Sequence, residues 1–192
     1  MRLKVTIYIF IFIFAVNYEN MEEFTVQVAD ESLRQAAQQG MDEFLSVFIN
    51  AMSKTIGGEL NAENMNRLNG YQITLFAYHY FRKEVLEGGF VQLIYNGYGP
   101  FIFENPFAKA MRLFGEGDFS KLIYKAKEIY DAHKEDLIKE RSDDDFMALY
   151  ERYESFDDLE DWYIENEEKI TSGIAAYVDD HIDQFALIIN KG

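Results

Sequence analysis

Apolar residues recur three and four positions apart along almost the whole of this chain, the spacing that lines one face of an α-helix. Leu33, Ala36, Ala37, Gly40, Met41, Phe44, Leu45, Phe48 and Met52 keep it to about Lys54, behind Asp30 or Ser32 as a cap, and Gly57-Gly58 ends it. Asn61 opens a short helix holding Met65 and Leu68, with Asn69-Gly70 as punctuation. A strongly apolar helix follows, through Leu75, Phe76, Tyr78, His79, Phe81, Arg82, Val85 and Leu86. Gly88 and Gly89 stop it, and a new turn starts at once with Phe90, Leu93 and Ile94. Residues 97–103 read as a loop whose aromatics fold back into the core, and Pro106 begins a helix with Ala110, Met111, Leu113 and Phe114. Asp118 or Ser120 opens the next helix, with Leu122, Ile123, Ala126, Ile129, Tyr130, His133 and Leu137 on one face.

Ser142 caps a helix whose first turn holds Asp143, Asp144 and Asp145, where the helix dipole favours negative charge. Its buried stripe is Phe146, Leu149, Tyr150 and Tyr153. Asp157-Asp158 restarts a helix with Leu159, Trp162, Tyr163 and Ile170 inside, and a last one runs from about Ser172 to Asn190, with Ile174, Tyr177, Val178, Ile182, Phe185 and Ile189 inward. All the strong patterns have the helical period, so the class is all-α: a single compact multi-helix domain over residues 21–192.

Residues 1–20 stand apart as an apolar extension. A basic start is followed by an apolar run over residues 5–16, which has the first two regions of a signal peptide but lacks a small-x-small cleavage site. At twelve residues the run is short for a bilayer span. Its Ile and Phe content also suits a strand, and Met21-Glu22-Glu23 is an alternative start. Export, an uncleaved or spurious extension, and a genuine strand or core helix are the readings open for it. The domain itself is expected in the cytoplasm, exported only if residues 1–20 act as a signal.

Composition adds a large core and a lopsided charge. Apolar residues make up 48% and aromatics 16% of the 192 residues, which is a globular, not a disordered, balance. Net charge is −16. Residues 131–183 hold nineteen Asp and Glu against five Lys and Arg, a balance of −14, which leaves −2 for the rest. A surface of that sign repels nucleic acid and attracts cations and basic proteins, so direct nucleic-acid binding is not expected. The absence of cysteine excludes disulfides and thiolate metal sites.

The centre of the chain carries a compact signature: Glu84, Val85, Gly88, Gly89, Phe90, Gln92, Tyr95 and Asn96. Gln92 and Asn96 are neutral amides one helical turn apart, able to donate and accept. One reading is that they tie down the following loop of residues 97–100; the other is a small-molecule or enzyme pocket beside them. The signature resembles that of the DMP19 family, also known as DUF4375, over roughly residues 60–130. Glu87 stands where many members have Asn. The resemblance implies a mostly helical fold and, from the family's namesake, a dimeric DNA mimic that binds a transcription factor. Most members have no assigned function.

Catalytic patterns are sparse. The aspartate runs at residues 143–145 and 157–161 lack the glycine and alternating ligands of a helix-loop calcium site, so no metal is expected. His79, His133 and His181 lie in separate helices, outside any ligand pair. No nucleophile elbow, phosphate loop or dinucleotide fingerprint is present, and no cofactor is implied. The expectation is a non-enzymatic interaction module and homodimer. Its acidic face, Glu151, Glu154, Asp157, Asp158, Glu160, Asp161, Glu165 and Glu168, would occupy the DNA-binding surface of a helix-turn-helix transcription factor. The alternatives are a solvated acidic surface that maintains solubility, the pocket near Gln92 and Asn96, and a structural or immunity-type module.

Overall fold

Two glycines with non-helical backbone angles divide the longest helix among the described residues, as the sequence predicts. In the computed structural model, which describes residues 25–190, Gly88 has φ −169° and ψ 29°, and Gly89 has φ 69° and ψ −170°. The helix α3 (Gly70–Tyr95) is therefore two helical segments joined by a kink. Before it come α1 (Asp30–Gln39) and α2 (Met41–Ile56). After it come α4 (Gly99–Phe103), α5 (Phe107–Leu113), α6 (Gly117–Leu137), α7 (Asp143–Arg152), α8 (Asp157–Asp180) and α9 (Ile182–Phe185). The all-α class is borne out. The strands among the described residues are β1 (Gln27–Ala29) and β2 (Leu187–Ile189), a parallel pair with Val28 opposite Ile188. The expectations for residues 1–20 lie outside the described residues.

Four boundaries differ from the sequence reading, each for a local reason. Gly40, expected on a continuous apolar face, has φ 140° and separates α1 from α2. Residues 99–103 form a short helix where a loop was expected, with Phe101, Ile102 and Phe103 in the core as expected. Gly99 is needed there because the Tyr130 ring would lie 2.7 Å from an added Cβ. The expected break near Thr171 is absent, so α8 runs unbroken to Asp180. The expected last helix ends early, and Ile189 sits in β2, where branched side chains suit an extended chain.

The described residues divide into two compact units, residues 77–170 and residues 25–76 with 171–190. In the second unit Phe44, Phe48 and Phe185 stack edge-on, with centroids 5.3 and 6.2 Å apart. Asn69 and Gln72 there form a reciprocal cap for α3: each side-chain oxygen accepts the other's backbone N–H, at 3.0 and 2.9 Å. Their side-chain amides go on to donate to the carbonyls of Gln184 and Phe185. In the first unit Phe81 is the hub, 5.6 Å from Phe90, 5.2 Å from Phe119 and 5.0 Å from Tyr163. Burial, and then the adjoining Tyr78, push the Tyr163 phenol far above its ordinary range.

Candidate functional site

The glycine kink and the acidic helices meet in one construction. At the kink the chain must supply partners for groups that an unbroken helix would pair internally. The Phe90 N–H donates to Glu160 Oε1 at 2.7 Å. The Gly88 carbonyl accepts from the Tyr150 hydroxyl at 3.0 Å. Thus one residue of α8 and one of α7 hold the two sides of the break.

Gly89 is required twice over. Its φ is one that L side chains rarely adopt, and an added Cβ would lie 2.2 to 2.5 Å from the Glu160 carboxylate. Gly88 is required by closeness alone, since its Cβ would meet Gln92 Oε1 at 2.3 Å.

The two amides of the signature do not tie down residues 97–100, which was one of the two readings open for them. Gln92 Nε2 and Asn96 Nδ2 both donate to Glu84 Oε2, at 3.2 and 2.7 Å. Glu84 is 5% exposed, so its carboxylate needs these donors. The three side chains clamp the segment before the kink to the segment after it. That explains why a glutamate, two glycines and two amides sit at those offsets. It also commits the polar groups on which a pocket reading would rely.

Of the eight carboxylates expected to form an outer face, seven are exposed: Glu151, Glu154, Asp157, Asp158, Asp161, Glu165 and Glu168. Among the described residues none of the seven is in an ion pair. On α8 five of them, Asp157, Asp158, Asp161, Glu165 and Glu168, fall within an arc of about 100° at 3.6 residues per turn. At 1.5 Å rise per residue they span about 16 Å, or one charge per roughly 4 Å.

Glu160 is the exception and a correction: it is partly buried and serves the kink. Burial raises its carboxyl above the ordinary range, against the pull of the Phe90 N–H, and Asp157 and Asp161 add to the rise. A signal for this was present in the spacing. Phe156, Glu160, Tyr163, Glu167, Ile170 and Ile174 step by four and three, so both glutamates share the inward stripe. Glu167 pairs there with Arg82 of α3.

The ends of α6 and α7 are joined by Asp136, which accepts from Tyr153 Oη at 2.7 Å, Arg152 Nη1 at 2.9 Å and Arg141 Nη2 at 3.2 Å. The hydrogen bonds from Tyr153 and then Arg152 hold its carboxyl down at about 2. Ser142 caps α7 as expected, its Oγ accepting from the Asp145 N–H at 3.2 Å. That accounts for the aspartates of residues 143–145 as a first helical turn.

Fold and surface together define an all-helical protein with an open, unpaired anionic face carried on α7 and α8. The family model described as DMP19-like protein matches residues 66–181, from the start of α3 through α8, and so takes in the kink and both acidic helices. A curated relative, the DNA mimic protein DMP19 of Neisseria meningitidis serogroup B, is 34% identical over 128 residues. The match covers 66% of this chain and 77% of that protein. The chain belongs to the DMP19-like family.

Proposed function

We propose that this protein is a DNA mimic that acts by protein–protein contact, without catalysis. Its acidic helices occupy the DNA-binding face of a partner, a helix-turn-helix transcription factor. One observation carries the reading: five α8 carboxylates, Asp157, Asp158, Asp161, Glu165 and Glu168, are exposed, unpaired and spaced on average about 4 Å apart along one stripe. B-DNA presents one phosphate per roughly 3.4 Å on each strand, so Lys and Arg placed for a duplex meet a similar field. The relative's name, a DNA mimic, supports the same assignment. Homodimer formation and a cytoplasmic site of action belong to the same proposal.

The test is capture of a helix-turn-helix regulator by the protein purified from its native host, with that regulator's operator duplex as competitor. The quadruple variant Asp158→Lys, Asp161→Lys, Glu165→Lys and Glu168→Lys should lose the regulator and keep its thermal melt. Wild-type binding should weaken steeply with salt and yield to the duplex. Capture that survives the four reversals, or that the duplex cannot displace, refutes the mimicry.

A further inference from the structure

Ile164 is 56% exposed, and it lies at the edge of the anionic stripe of α8, on the side of Glu160 and Glu167. Asp161 is one turn before it; Glu168 is one turn after it and Glu165 next to it. Leu86 on α3 is 47% exposed. Two contacts bring its stretch of α3 alongside the Ile164 stretch of α8. Arg82 pairs with Glu167, and the Phe90 N–H meets Glu160, so α3 and α8 run antiparallel there. Leu86 falls midway between Arg82 and Phe90, and Ile164 between Glu160 and Glu167. The pattern recurs on α7, where Met147, 61% exposed, has Asp143 and Asp144 a turn before it and Glu151 a turn after.

A solvated face that serves only solubility gains nothing from a large apolar side chain amid its charges. A docking face does, because apolar contact adds affinity that salt does not screen.

Resting on the mimicry reading, we infer that Ile164, flanked by Leu86, is an apolar anchor of the acidic face. The occupant is a cationic helix that carries an apolar side chain between its lysines and arginines. Charge selects this occupant over a second copy of the chain. Two copies meeting on Ile164 would set Asp161, Glu165 and Glu168 against their own images. A duplex presents the same mixture to a reading helix, with thymine methyl groups on the groove floor between phosphates.

Two peptides of ~15 residues, long enough to hold a helix, serve as probes. Both are lysine- and arginine-rich; one has a central leucine and the other a serine in its place. Their binding is followed by fluorescence anisotropy across a salt series. The leucine peptide should bind wild type about tenfold more tightly, as partial burial of one aliphatic side chain gives. Ile164→Ala, which keeps helix propensity, should remove most of that advantage and leave the salt slope unchanged. Glu165→Gln should lower the slope and keep the advantage.

Equal binding of the two peptides, or a full leucine advantage in Ile164→Ala, overturns the anchor and leaves the mimicry reading standing. Failure of both peptides to bind at low salt sinks the acidic face itself. A wild-type dimer in sedimentation that Ile164→Ala dissociates would assign the residue to self-association and overturn the inference.

Discussion

Single residues at the kink do more than their types suggest. Gly89 has a positive φ and the Glu160 carboxylate against its α-carbon. Gly89→Ala should therefore cost about 2–4 kcal/mol in a urea melt, from backbone strain plus the displaced cap. Gly117, at the first position of α6 with open space around it, is the control, and Gly117→Ala should be neutral or slightly stabilising. Glu160 separates acceptor from charge. Its folded carboxyl holds a proton more tightly than the unfolded chain does, so ionising it as pH rises past the ordinary range lowers stability. Glu160→Gln keeps an oxygen for the Phe90 N–H and removes that ionisation. It should match or exceed wild-type stability at neutral pH, whereas Glu160→Ala should lose about 1–2 kcal/mol.

Between elements, Asp136 has the opposite sign. It draws together the C-terminal end of α6, Arg141 of the connection and Arg152 and Tyr153 at the end of α7. Its carboxyl falls from an ordinary 3.8 to about 2 on folding. The stability it supplies is present above the unfolded value and lost as pH falls through the folded one. The side chain is 38% exposed, so water screens the pairs and the contribution is about 1 kcal/mol. Asp136→Asn should lie below wild type by that amount at neutral pH, and the two acid-unfolding curves should converge toward pH 2. The same scale explains a reading that missed. The amides of Gln92 and Asn96 were legible as a pair one turn apart. Their shared acceptor, Glu84, lies across a break whose angle no spacing encodes.

Over the whole molecule the anionic excess both recruits and repels. Residues 131–183 carry −14 of the net −16, so the folded protein holds like charges close together. Raising salt from about 0.01 M to about 0.15 M shortens the screening length from roughly 30 Å to roughly 8 Å. The melting temperature should rise over that interval, while affinity for a cationic partner falls. The opposite trends separate self-repulsion from recognition in one salt series. A melting temperature that does not move would mean the carboxylates sit too far apart to feel one another.

The sequence alone determined the helical class, the glycine break after Glu87, the Ser142 cap and the position of the anionic excess. Each of these rests on local spacing or composition, which a linear chain displays. Tertiary structure decided what the inward carboxylates meet. The spacing of α8 already sets Glu160 and Glu167 on its apolar stripe, but only the packing of α8 on α3 gives them their partners, the Phe90 N–H and Arg82. It likewise decided that residues 187–189 leave the helix, because their partner strand, residues 27–29, lies some 160 residues away in the chain.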